Sequence, residues 1–308
     1  MSLINFILSM VSILLSVAFF TLMERKFISF SQNRKGPNKT FLVGILQPIS
    51  DAVKLLTKEL SLSMKTNFLL FVLSPGINLI SSLALWLVFP YLFEFSFMKM
   101  STLFLMSCMT MSMMTIVMMS WSSNSNYAFI GMMRSISQLI SYEINLIFVI
   151  ICIINLTNQM NFKLMNTTQK LFTHSINNIS IINYLNNNYF GSNYRTPFDF
   201  SEGESELISG FNIEYASTSF TLLFLSEYSS ILIMSLITTL MFMNSTPATI
   251  LFYINYNLLC FYFIWTRSTF PRFRYDKLMK FNWTQLLPLN TVILMCLFVY
   301  KFYCTMKN

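Results

Sequence analysis

Residues 228–265 read YSSILIMSLITTLMFMNSTPATILFYINYNLLCFYFIW, a run of 38 residues without Asp, Glu, Lys, Arg or His. A helix of about 20 apolar residues crosses a hydrocarbon core of about 30 Å, so the run is too long for one crossing and long enough for two. The break falls at Asn244-Ser245-Thr246-Pro247, because proline resists continuing a helix and pushes its predecessor toward an extended backbone. Two helices joined by a short turn therefore occupy the stretch, and the chain is expected to be an all-α polytopic membrane protein.

Reading outward from one charged or turn-rich break to the next gives eight spans: 2–23, 67–92, 101–119, 137–156, 171–190, 217–242, 248–266 and 283–303. The whole of 1–308 is then one membrane domain. The fifth span is the poorest, because it contains Asn177, Asn178, Asn183, Asn186, Asn187 and Asn188. Hydropathy alone rejects it, but charge restores it. With eight spans, 15 Lys and Arg fall on one side and 5 on the other, a positive-inside pattern; without the fifth, the split is 11 against 9. The span is kept, its amides expected to face protein or water.

Composition excludes other classes. The 308 residues are 55% hydrophobic and only 10% charged, against about 25% charged in soluble chains. The net charge of +8 resides in short loops between apolar spans, not along a soluble face suited to nucleic acid. No GxGxxG or GxxxxGK[ST] occurs. Cys108, Cys152, Cys260, Cys296 and Cys304 form no CxxC, so neither an iron–sulfur cluster nor a zinc site is encoded, and no metal site is expected. His174 is the single histidine, which excludes a Ser-His-Asp device. The first 23 residues lack a basic n-region and run into Glu24-Arg25-Lys26, so they are read as a retained helix and not a signal peptide. Between Gln47 and Lys58, Ile49, Ala52, Val53, Leu55 and Leu56 alternate with Asp51 and Lys54 as in an amphipathic surface helix.

The acids carry the chemistry. Glu143 and Glu227 lie within apolar spans, where a charge costs a few kcal/mol, and each adjoins a tyrosine, Tyr142 or Tyr228. Carboxyl, phenol and water can form a hydrogen-bonded proton relay. The plainer reading is an acid neutralised at a helix–helix contact. Asp199, Glu202, Glu204, Glu206 and Glu214 fall within sixteen residues, and crowded carboxylates raise one another's proton affinity. Proton storage, a cation site and a solvated acidic loop all fit that pattern, although no EF-hand spacing is present. The loops 24–66 and 267–282 mix Arg and Lys with Phe, which suits either anionic lipid or a mouth for a ligand with a polar head and an apolar tail.

Five segments carry a resemblance: ERKFISFSQNRKGPNK (24–39), QPISDAVKLLTKE (47–59), SWSSNSNYAFIGMMRSISQLISYE (120–143), RTPFDFSEGESELISGFNIEY (195–215) and WTRSTFPRFRYDKLM (265–279). In order and spacing they resemble the subunit-1 family of mitochondrial NADH:ubiquinone oxidoreductase, respiratory complex I, across nearly the whole chain. The richness in Met, Phe, Ile and Asn is similar to products of A+T-rich animal mitochondrial genomes. The resemblance implies an organelle-encoded, multi-pass subunit of the mitochondrial inner membrane. It would join the membrane arm to the hydrophilic quinone-module arm and contact membrane lipids. Loops 24–66, 191–216 and 267–282 would face the matrix. Ubiquinone would be the substrate, with no covalently bound cofactor on this chain and with flavin and iron–sulfur clusters on partner subunits.

By matching motif positions, the resemblance implies that Glu24, Arg25, Gln32, Arg34, Asp51, Phe224 and Arg274 line or brace the quinone tunnel. Tyr142, Glu143, Asp199, Glu202, Glu204, Glu206, Glu214, Glu227 and Tyr228 would begin the proton path, and residues 195–215 would couple the two. One departure stands out: the family's Ala-Glu-Thr-Asn tetrad aligns with Gly191-Ser192-Asn193-Tyr194, so Ser192 replaces a glutamate. A membrane subunit of an ion-pumping hydrogenase would share these acids without a quinone. A stand-alone transporter is disfavoured by the lack of an inverted repeat.

Overall fold

The computed structural model describes residues 2–59, 65–90, 98–168, 191, 195–199, 210–212, 214–243 and 246–307. Among them the regular elements are all helical. They are α1 (Ser2–Ser31), α2 (Gln47–Leu56), α3 (Phe68–Leu85), α4 (Ser101–Ser123), α5 (Asn126–Thr157), α6 (Phe162–Thr168), α7 (Ser217–Phe242), α8 (Ile250–Thr269), α9 (Tyr275–Phe281) and α10 (Leu287–Lys307), with short 3₁₀ turns and one π-helical turn at Asn282–Leu286.

Helix α7 is the axis of the bundle. Every residue from Ile231 to Phe242 is buried, as expected for a helix apolar on all faces, and it packs against α1, α2, α3, α6 and α8. Helices α4 and α5 form a hairpin whose corner is Asn124, at φ 50°, where asparagine tolerates the left-handed conformation that ends α4. Helix α10 packs on α5. Outward faces of α1, α3 and α10 carry exposed Leu15, Leu69, Ile80, Val292 and Met295, which is the face a lipid solvent requires.

Among the described residues, six segments, 4–31, 68–88, 101–123, 126–157, 217–242 and 275–303, combine the length and apolarity of a membrane span. Helix α8 covers the expected seventh span, but Tyr253, Asn255, Tyr256 and Asn257 dilute its apolar character. The expected fifth span lies outside the described residues. The count of eight therefore remains an expectation from charge.

Several boundaries differ from the sequence reading, for one physical reason: a charged residue does not end a helix. Helix α1 runs through Glu24, Arg25 and Lys26 to Ser31. Helix α5 begins at Asn126, eleven residues before the predicted 137, and carries Arg134 with its guanidinium 5.9 Å from the Tyr275 ring centre. At 32 residues and about 1.5 Å per residue, α5 is longer than the hydrocarbon core is thick, so its first turns can sit in the headgroup region. The last span is continuous back to Tyr275 through a π-helical turn two residues before Pro288, whose missing N–H leaves the ladder locally free to widen. The amphipathic helix is present as α2, without a buried residue and with Ile49, Val53 and Leu56 exposed.

Candidate functional site at the junction of α1, α5, α7 and α8

The first group of residues forms where α1, α7 and α8 meet. Glu24 is buried and accepts a charge-assisted hydrogen bond from Nη1 of Arg267, 243 residues away in the chain. Both side chains act electrostatically on the Tyr228 phenol. The Arg195 guanidinium lies 4.5 Å from the centre of that ring and its Nη2 stands 3.7 Å from Oε2 of Glu227. Phe20 meets Tyr228 edge-on at 6.0 Å and Phe224 stacks beside it at 6.3 Å. Charges of both signs thus gather near one tyrosine that also meets Phe20 and Phe224.

The second group lies on α5. Glu143 is 8% exposed and its Oε1 has no hydrogen-bond partner among the described residues; the same holds for the fully buried Tyr142 hydroxyl. Two residues on, Asn145 donates to Oδ1 of Asn282 in the π-helical turn, and Asn290 donates to Oδ1 of Asn145 at 3.5 Å. All three amides are buried, so a polar cluster joins α5 to the π-helical turn and α10. A reading built on charged residues does not include these amides. Their presence inside apolar spans is the available signal.

Segment 195–199 joins the two groups. Arg195 touches Glu227 and Tyr228, the Phe198 ring lies 5.8 Å from Tyr142 and 5.5 Å from Phe273, and Asp199 lies 3.4 Å from Nη2 of Arg272. The far end of the acidic loop is held by Tyr215. Its ring stacks on Phe71 at 4.2 Å and its hydroxyl donates to the Met119 carbonyl at 3.2 Å, with Ser74 and Ser122 alongside. Burial pushes the Tyr215 phenol above its ordinary value of 10.0, and the serine hydrogen bonds oppose the shift. Glu214, half-buried, borders a cavity of 350 Å³ together with Lys65.

The remaining expected tunnel residues lie farther out. Arg25 pairs with Asp51 at 2.5 Å, tying α1 to α2, and Gln47 donates to the other carboxylate oxygen at 2.9 Å. Gln32 and Arg34 are exposed beyond the end of α1. Arg274 is exposed and pairs with Asp276 at 3.0 Å. Near it, Phe198, Tyr262, Phe270, Phe273 and Phe281 with Lys277 and Lys280 line a cavity of 540 Å³. Glu202, Glu204, Glu206 and Ser192 lie outside the described residues. Arg195 and Arg267 are functional candidates that the reading of acids left out, because long-range pairing has no signature in local periodicity.

The family model described as NADH dehydrogenase matches residues 4–298. The chain is 43% identical over 299 residues to NADH-ubiquinone oxidoreductase chain 1 of Locusta migratoria, covering 94% of this chain and 92% of the relative. It is 42% identical to that of Aedes aegypti, covering 94% and 93%, and 41% identical to that of Apis mellifera ligustica, covering 97% of each. With six apolar helices among the described residues long enough to cross a bilayer, and these relatives along nearly its whole length, the chain is a multi-pass membrane protein that belongs to the NADH dehydrogenase family.

Proposed function

We propose that this chain is the chain-1 subunit of a NADH-ubiquinone oxidoreductase of the mitochondrial inner membrane, housing ubiquinone reduction and passing its free energy to proton translocation. The observation that carries this reading is Glu143. It is a buried carboxyl inside a membrane-spanning helix, with one oxygen unmatched by any described protein group. An acid kept in lipid without a fixed partner costs free energy that a structural role does not offset.

The quinone would approach through the aromatic-lined junction, with Glu24, Arg25, Gln32, Arg34, Asp51, Phe224 and Arg274 lining or bracing the way. Electrons arrive from partner subunits of the hydrophilic arm, which hold the flavin and the iron–sulfur clusters. Two electrons and two protons convert the quinone to quinol, and between the arrival of the electrons and that of the protons the bound ring carries negative charge. The Glu24–Arg267 pair senses that charge, Tyr228 relays it to Arg195 and Glu227, and segment 195–199 carries it to Tyr142 and Glu143. One unit of change in proton affinity is about 1.4 kcal/mol, so Glu143, Asp199, Glu202, Glu204, Glu206, Glu214 and Glu227 acting together can carry several kcal/mol.

The test is the intact complex bearing Glu227→Gln. The reading expects ubiquinone reduction to continue with fewer protons translocated per quinone. Unchanged translocation would remove Glu227 from the route.

A further inference from the structure

Gln138 is fully buried on α5, one turn before Tyr142, and its side-chain nitrogen donates to two backbone carbonyls at once: Gly191 at 2.8 Å and Phe198 at 2.8 Å. The amide orientation is fixed by those partners, because the flipped amide would set its own oxygen against two carbonyl oxygens. Both N–H groups are thereby used, and the chain on either side of 192–197 is closed onto one side chain. The approach is tight. A Cβ at Gly191 would stand 2.4 Å from the Tyr142 ring, so only glycine lets the backbone lie on that tyrosine. Within the segment, Phe198 N–H donates to the Arg195 carbonyl at 2.8 Å, and Phe273 N–H donates to the Pro197 carbonyl at 3.0 Å. The clamp at Phe198 therefore sets where Arg195 stands three residues earlier.

We infer that Gln138 is the positioning residue that registers segment 195–199 between the two carboxyl groups, holding Arg195 on Glu227 and Phe198 on Tyr142. The inference rests on the proton-path reading above and deepens it. Removing the amide leaves two buried carbonyls without their donor, so the segment should open locally while the helices that frame it stay packed.

The test compares the intact complex with Gln138→Met, which keeps the side-chain volume and removes both donors. Backbone hydrogen exchange of residues 195–199 should rise about tenfold or more. Protons translocated per ubiquinone reduced, a ratio independent of turnover and of the amount assembled, should fall at least twofold. Unchanged exchange would overturn the inference, and so would raised exchange with an unaltered ratio. Gln138→Asn keeps an amide on an arm one methylene shorter and should give a smaller rise, which keeps the test open if the Met variant fails to assemble. Glu143→Gln, run in parallel, separates the two ideas. Normal pumping there would defeat the proton-path reading, whereas exchange at 195–199 reports on Gln138 alone.

Discussion

The Arg195 guanidinium lies 4.5 Å from the centre of the Tyr228 ring while facing the Glu227 carboxylate at 3.7 Å, so one cation serves two neighbouring residues of α7. Its planar group can stack and pair at the same time, which a lysine ammonium cannot do. Arg195→Lys should therefore keep the charge but lose the stack, costing about 1 kcal/mol, whereas Arg195→Ala also strips Glu227 of a cation. Thermal inactivation of the complex and protons per quinone should both worsen in the order wild type, Lys, Ala. Equal behaviour of the Lys variant and the wild type would show that the stack does nothing.

The Glu24–Arg267 pair offers a second test. Glu24 is buried, but Arg267 is one-third exposed, so solvent screens the pair and its worth is discounted to about 1–2 kcal/mol. Glu24→Gln and Arg267→Met should each raise the KM for ubiquinone several-fold, and the double variant should cost less than the sum of the two. Strict additivity in that cycle would mean the two side chains do not work together.

Tyr215 anchors the far end of the acidic loop. Tyr215→Phe keeps the stack on Phe71 and loses the hydroxyl bonds, at a cost of about 1 kcal/mol. The phenol's proton affinity is raised by burial, so its contribution is fully present below the unfolded value near 10 and fades only as pH climbs through the higher folded value. The wild type should therefore outlast the Phe variant in thermal inactivation at neutral pH and lose that advantage only in strong alkali. A difference that vanished near neutrality would contradict the anchoring.

Gly191→Ala probes the close approach on Tyr142. The added methyl would meet ring atoms next to the Tyr142 backbone, not the end of a flexible chain, so the ring or the loop must move. About 1–3 kcal/mol of destabilisation is expected, read as a lower thermal inactivation midpoint. A tolerated Gly191→Ala would mean that the contact is not needed.

Much of this architecture is legible in the chain. The charge-free run at 228–265 marks α7 and α8, and acids inside apolar spans mark Glu143 and Glu227. Helices α1 and α5 run through Glu24 and Arg134, past the predicted span ends, because a long side chain on a helix can turn its charge to a partner or to the headgroup region. The pairing of Glu24 with Arg267 was illegible because it is made by packing α1 on α8, and no local pattern encodes that. Gln138 and the Asn145–Asn282–Asn290 cluster were visible as amides in apolar spans, but their partners are backbone carbonyls and one another, which only the fold brings together.

The central claim is that Glu143 changes its protonation when the quinone is reduced. Redox-triggered infrared difference spectroscopy of the complex reads this directly, through the carbonyl stretch of a protonated carboxyl group and its shift in heavy water. The account predicts a carboxyl band that appears or disappears with quinone reduction and is absent from Glu143→Gln. An identical difference spectrum in that variant would contradict it.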